Sequence, residues 1–189
     1  MVRILSVIVV LALWSGDALA LDLQSILERT MVTPPARVTF REERHNRMLA
    51  EPLVLTGYLE YLEAGQLRKV VEHPFEEAFL VRADRVEIER NGETRVLSLS
   101  KSRSLKTMLE GIEAILGGGT ERLEKVFDYE LTGIESDWSL RLQPRSRRMA
   151  RQLAGLTVHG NGESVTAIRF DLAGGEWHLM EIGQHDEAP

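Results

Sequence analysis

The side chains able to do chemistry in this chain of 189 residues are numerous but scattered. Five histidines, His45, His73, His159, His178 and His185, fall at no metal-ligand spacing, and there is no cysteine to complete a site. Glu42-Glu43 and Glu76-Glu77 are adjacent pairs. Neighbours in a strand point to opposite faces, so neither pair can divide acid and base duties over one substrate. No glycine-flanked serine marks a nucleophile elbow, and Gly117-Gly118-Gly119 follows a helical pattern where a phosphate-cradling loop would precede one. These absences predict a protein that is not an enzyme and uses no cofactor and no metal. One concentrated basic feature is left, Arg145, Arg147, Arg148 and Arg151, on a chain of net charge -6. It could dock a partner or an anionic headgroup through charge-assisted hydrogen bonds. The plainer account is a solvated helix face. Arg41, Arg44 and Arg47 stand among glutamates and are expected on an outer strand face with cross-strand pairs.

With no reactive constellation to position, the informative pattern is apolar. Val38-Thr39-Phe40-Arg41, residues 53–61 and Val86-Glu87-Ile88-Glu89 alternate with the period of two that a half-buried strand imposes. The reading places strands over residues 37–47, 53–62, 67–73, 77–82, 85–90 and 94–100, then 129–134, 138–142, 156–160, 165–172 and 176–182. Turn chemistry separates them: Ala64-Gly65, Asn91-Gly92, Asn161-Gly162 and Gly174-Gly175 are hairpin signals, and Pro74 closes the third strand. The expectation is one continuous antiparallel sheet with a single apolar face.

Four helical stretches precede or interrupt the strands. Leu23, Ile26, Leu27 and Met31 stand at helical spacing ahead of Pro34-Pro35. Leu105, Met108, Leu109, Ile112, Ile115 and Leu116 form a wide apolar stripe that Gly117 to Gly119 ends. Thr120 is placed to cap a further helix over residues 121–127, and a basic turn of helix is expected over 146–153.

Residues 1–20 read as an export signal. Arg3 precedes the apolar run 4–14, and Ala18-Leu19-Ala20 offers small residues for cleavage after Ala20. The run is shorter than the roughly 20 residues that span a bilayer. Residues 21–182 have the length of one domain with a sizeable core, and 183–189 read as a flexible tail. The expected location is the periplasm, as a monomer. An isoelectric point near 5.5 argues against nucleic acid as a partner.

Taken in phase with the apolar side of each strand, the residues expected to line the interior are Val38, Phe40, Leu59, Tyr61, Leu80, Val86, Ile88, Leu97, Trp138, Leu140, Ile168, Phe170, Trp177 and Leu179. Residue type alone does not distinguish such a lining from an ordinary filled core.

The order Phe40, Gly57-x-Leu59-x-Tyr61, Pro74 and Trp138-x-Leu140-x-Leu142-x-Pro144 resembles the periplasmic outer-membrane lipoprotein carriers, the LolA-like family, over most of the chain after residue 20. The resemblance implies an α+β, mainly β fold: a strongly curved, incomplete antiparallel barrel with helices over its concave, open side. It implies a hydrophobic cavity for the acyl chains of a lipoprotein or related lipid, received from an inner-membrane exporter and passed to an outer-membrane acceptor. The chain departs from the family at its second hairpin. Residues 62–66 lack the arginine that holds the family's helical lid shut. Leu105, Met108, Leu109, Ile112, Ile115 and Leu116 are expected to belong to a lid hinged at Gly117 to Gly119, with Ile112, Ile115 and Leu116 competing with the acyl chain. A second reading keeps the half-barrel but fills its interior, leaving a lipid sensor or a protein-interaction module.

Overall fold

The computed structural model describes residues 21–63, 66–82, 84–101 and 103–185, with backbone alone at 103–105, 107, 108, 110, 111, 184 and 185. The expected export signal, the Ala64-Gly65 turn and the last four residues lie outside the described residues.

The chain opens with α1 (Leu23–Arg29), whose N-terminus is capped by Asp22 accepting from the Ser25 amide at 2.9 Å. Leu23, Ile26 and Leu27 are buried, but Met31 lies beyond the last turn and is 53% exposed, so it drops out of the predicted stripe. Six strands follow in sequence: β1 (Ala36–His45), β2 (Leu53–Glu63), β3 (Gln66–His73), β4 (Glu77–Val81), β5 (Arg85–Arg90) and β6 (Glu93–Ser98). After a 3-10 turn come α2 (Arg103–Leu116) and α3 (Thr120–Val126), then β7 (Phe127–Ile134), β8 (Asp137–Pro144), α4 (Arg147–Ala150), β9 (Leu153–Asn161), β10 (Ser164–Leu172) and β11 (Trp177–His185).

All eleven strands belong to one antiparallel sheet in the order β6-β5-β4-β3-β2-β1-β11-β10-β9-β8-β7. Every neighbouring pair except β1 with β11 is consecutive in the chain, so nearly all of the sheet is built from local hairpins. Its edges, β6 and β7, do not pair with each other, and the barrel is left open. Asn91 (φ 53°) and Gly92 (φ 76°) supply the two left-handed residues that a tight hairpin requires. β11 continues to His185 opposite Val38, taking in the first three residues of the expected loose tail, because the partner strand β1 is long enough to hold it.

Gly117 to Gly119 acts as the C-terminal cap of α2. Gly118 is left-handed (φ 69°), its amide donates to the Ile115 carbonyl at 3.4 Å, and the Gly119 amide donates to that of Ala114 at 2.7 Å. This pair of bonds satisfies carbonyls that the helix end would otherwise orphan. The expected cap of α3 differs. Thr120 is the first helical residue rather than the residue before it, and its hydroxyl donates to Gln24 of α1. α4 is a single turn, shorter than the stretch expected over 146–153.

Candidate functional site

Registers carried from strand to strand define two faces. Phe40 lies opposite Gly57 and Ile182; Glu42 lies opposite Leu55 and Met180. Met180 faces Ile168, Ile168 faces Val158, and Val158 faces Leu140. In the other direction Leu59 faces Lys69, Lys69 faces Phe79, and Phe79 faces Ile88. These residues therefore share one face across all the strands they link, and the helices lie on it.

On the β7 to β10 half, that inner face is filled. Leu23, Ile26 and Leu27 of α1, Ala114 and Ile115 of α2, Leu123 of α3 and Met149 of α4 pack with Trp138, Leu140, Leu142, Leu156 and Val158 in one buried cluster. Each large aliphatic side chain so buried is worth about 1.5–3 kcal/mol. Trp138 is held at both its ring and its nitrogen. Its Nε1 donates to the Gly162 carbonyl at 3.2 Å, and its indole lies so close over Gly160 that an added Cβ would overlap Cζ2 and Cε2.

On the β1 to β6 half the inner face is apolar but only partly covered. Phe40, Leu55, Val71 and Met180 form a second buried cluster, with Leu53, Leu59, Phe75 and Ile182 half-buried against it. Tyr61, Leu67, Phe79, Val81 and Ile88 are half-buried as well, and Leu97 on the edge strand is 50% exposed. α2 reaches over this half. Its Leu109, Ile112 and Leu116 enclose, with Tyr61, Leu67 and Val81, a cavity of about 10 Å³. That is room for one water and not for an acyl chain.

Of the fourteen expected lining residues, Val38, Phe40, Leu59, Tyr61, Val86, Ile88, Leu97, Trp138, Leu140, Ile168 and Phe170 share the inner face. Leu80, Trp177 and Leu179 do not. Leu80 registers with Arg68 and Glu87, Leu179 with Glu43 and Arg169, and Trp177 with His45 and Asp171, all on the outer face. There Trp177 stacks on His45 at 3.5 Å and carries the Arg169 guanidinium at 4.2 Å. Both strands concerned carry apolar residues on both sides, Phe79 and Val81 against Leu80 in β4, Met180 and Ile182 against Trp177 and Leu179 in β11, so alternation alone does not select the inner one. Inner residues passed over include Leu55, Val71, Phe79, Val81, Leu142, Leu156, Val158 and Met180; for Leu156 and Val158 the alternation with Gly160 was a readable signal.

The stripe of α2 divides by depth. Ile115 is buried in the large cluster, whereas Leu109, Ile112 and Leu116 face the small cavity. The side chains of Leu105 and Met108 lie outside the described residues.

An ionic group lies within the apolar inner face. Glu42 is buried and receives Arg44 Nε at 2.9 Å, Lys69 Nζ, and His178 Nδ1 at 3.4 Å. Arg44 departs from the outer face expected for it with Arg41: Arg41 pairs outward with Glu43 and Glu181, while Arg44 turns inward to Glu42. Burial pushes the Glu42 carboxyl up. The hydrogen bond from His178, the Lys69 charge and the bonds from Arg44 and Lys69 outweigh it and hold the group well below the usual carboxylate range. Burial likewise lowers the Lys69 amine, offset in part by Glu42. Lys69 Nζ also stands 4.7 Å from the centre of the Phe40 ring.

The basic residues at 145–151 fall at the end of β8 and on α4. Arg145 pairs with Asp128 at 2.9 Å; Arg147, Arg148 and Arg151 are exposed and make no ion pair among the described residues. No helix among the described residues is long and apolar enough to cross a membrane.

An open antiparallel half-barrel with an apolar inner face and helices laid over it defines a class of binding scaffold. The chain belongs to the family described as outer membrane lipoprotein carrier protein LolA-like, whose model matches residues 15–179. No curated protein matches it. Among solved structures it is similar to a LolA superfamily protein from Nitrosomonas europaea, at 12% identity and a TM-score of 0.47, over 90% of this chain and 96% of that one. It is similar to the lipoprotein LppX of Mycobacterium tuberculosis at 10% identity and 0.44, over 88% and 96%. It is also similar to a chain of the MucA/MucB complex of Pseudomonas aeruginosa at 13% and 0.44, over 89% of this chain and 59% of that one.

Proposed function

We propose that the protein is a periplasmic carrier, exported and cleaved after Ala20, which takes the acyl chains of a lipoprotein or related acylated lipid onto its inner face. It would receive them at the inner membrane and deliver them toward the outer membrane. The observation that carries this reading is the contrast between the two halves of one apolar face. The β7 to β10 half is packed solid, while the β1 to β6 half is lined by half-buried Leu59, Tyr61, Leu67, Phe79, Val81 and Ile88, with α2 closing against it at Tyr61, Leu67 and Val81. Membership of the family supports the same reading.

Magnitudes favour a lid that competes with cargo. A methylene moved out of water contributes about 0.8 kcal/mol, so a sixteen-carbon chain gains on the order of 12 kcal/mol before association and ordering costs. A carrier that kept all of this could not release. Leu109, Ile112 and Leu116 occupy the space the chain would fill, so binding gives up their contacts and net affinity is lowered. A closed interior is also what the second reading, a sensor or protein-interaction module, requires.

Native mass spectrometry of the mature protein, purified gently with organic extraction of anything bound, separates the two. A recovered acyl lipid or lipoprotein supports carriage. A clean unliganded mass together with no uptake of a fluorescent fatty-acyl probe sinks it and favours the interaction module.

A further inference from the structure

One end of the sheet carries a surface the acyl site does not explain. In an antiparallel sheet the C-terminal end of β1, the N-terminal end of β11, the C-terminal end of β10 and the N-terminal end of β9 fall together, and α4 leads into β9 there. The loop from β1 to β2, residues 46–52, carries Met48, 91% exposed, and Leu49, 48% exposed. Arg47 ties this loop to the turn between β10 and β11 by donating to the Gly174 carbonyl, and the Ala173 amide of that turn donates to Gln152, just after α4, at 3.1 Å. The loop, the turn and α4 are therefore contiguous.

α4 presents its charges outward because its other side is anchored. Met149 is buried, Ser146 caps the turn, and the Arg145 amide donates to the Val126 carbonyl at 3.0 Å. Arg147 and Arg151 are one turn apart and Arg148 lies between them, so all three share the exposed side. With Arg47 they make four cations beside two exposed apolar side chains, on a chain of net charge -6. Glu51 in the loop and Glu176 in the turn are the carboxylates of these two segments, so the four arginines leave the rim net positive.

We propose that this rim, Arg47, Met48, Leu49, Arg147, Arg148 and Arg151, docks the protein on an anionic bilayer surface. The arginines meet lipid phosphates and the two apolar side chains enter the interface between them. The charge sign selects an anionic partner. The exposed pair Met48 and Leu49 selects a lipid surface over an acidic protein, since a bilayer accepts apolar side chains at headgroup depth at any point and needs no matching pocket. The inference deepens the carrier reading by saying where the protein meets a membrane, but it rests on residues outside the acyl face.

The test is co-sedimentation of the mature protein with phosphatidylcholine vesicles, with and without phosphatidylglycerol. Binding is expected only with the anionic lipid, and it should weaken on raising salt. Reversing Arg147, Arg148 and Arg151 to Glu together should lower the partition coefficient roughly a hundredfold, at about fivefold or more per arginine. Met48→Ser with Leu49→Ser, on an exposed loop, should lower it severalfold without altering the circular dichroism. The same reversal at Arg29, Arg68 and Arg95, away from this rim, should leave it within about twofold. Absence of binding to anionic vesicles, binding that the triple reversal leaves unchanged, or capture by polyglutamate without vesicle binding would each overturn the proposal. Fatty-acyl probe uptake run in parallel keeps the two readings apart, because the rim variants should still take up the probe.

Discussion

Glu42 on β1 and Lys69 on β3 join across the intervening strand β2, and they do so on the apolar inner face of the sheet. Both side chains are largely withdrawn from water, and Arg44 and His178 complete the group from β1 and β11. The pair thus links the β11 seam to the β2-β3 hairpin at the boundary between the solid and the partly covered halves.

Removing one partner leaves the other buried and uncompensated, which typically costs about 3–5 kcal/mol. Glu42→Ala is expected to lower stability by about 3 kcal/mol, because both Lys69 and Arg44 lose their counter-ion. Glu42→Leu with Lys69→Leu should cost clearly less than the sum of the two single changes. A urea double-mutant cycle measures the coupling, and strict additivity would contradict it.

The same group sets an acid limit. Its folded carboxyl titrates below the ordinary value of 4.5, so the unfolded chain takes up the proton first. The stability it contributes is fully present above about pH 4.5 and is lost as the pH falls from there toward the folded value. Glu43 and Glu87, lowered by Arg41 and Arg85, act in the same direction from half-buried positions. Glu42→Gln should therefore flatten, without abolishing, the fall in urea midpoint between pH 5 and pH 3.

Trp138 and Gly160 form a fitted pair, and Gly160→Ala forces the indole out of its place in the large cluster. Overpacking of this kind costs about 1–3 kcal/mol. The variant should melt several degrees lower with a red-shifted tryptophan emission, whereas Gly92→Ala, where only a left-handed turn in the β5–β6 hairpin is strained, should leave the emission unchanged.

The lid can be pinned because the chain has no cysteine of its own. Val81→Cys with Ile112→Cys places thiols on opposite walls of the small cavity, and a short bifunctional maleimide would join α2 to β4. Crosslinking is expected to lower fatty-acyl uptake at least tenfold relative to the same variant unlinked. Ile112→Ala should raise uptake severalfold, and equal uptake in all three proteins would remove α2 from the mechanism.

The outer face offers the complementary check. Leu80→Lys, facing Arg68 and Glu87, should leave probe affinity within about twofold, whereas Phe79→Lys, facing Lys69 and Ile88, should reduce it at least tenfold.

Much of this architecture was legible in the residues themselves, because it is local. Alternation in β1, β2 and β5, the Asn91-Gly92 turn and the three-step and four-step apolar spacing of α2 each involve neighbours a few positions apart, and the antiparallel sheet is almost wholly a chain of hairpins. Tertiary structure decided the rest. A strand with apolar residues on both sides, such as β4 or β11, takes its inner face from the register of its neighbours, which is why Leu80, Trp177 and Leu179 turned outward while Phe79, Val81 and Met180 turned in. Pairing of β11 with β1 brought Glu42 beside His178, and the hairpin return of β3 brought it beside Lys69, making one ionic group from residues that sequence spacing does not relate. Period is a property of the backbone. Facing is a property of what the backbone is folded against.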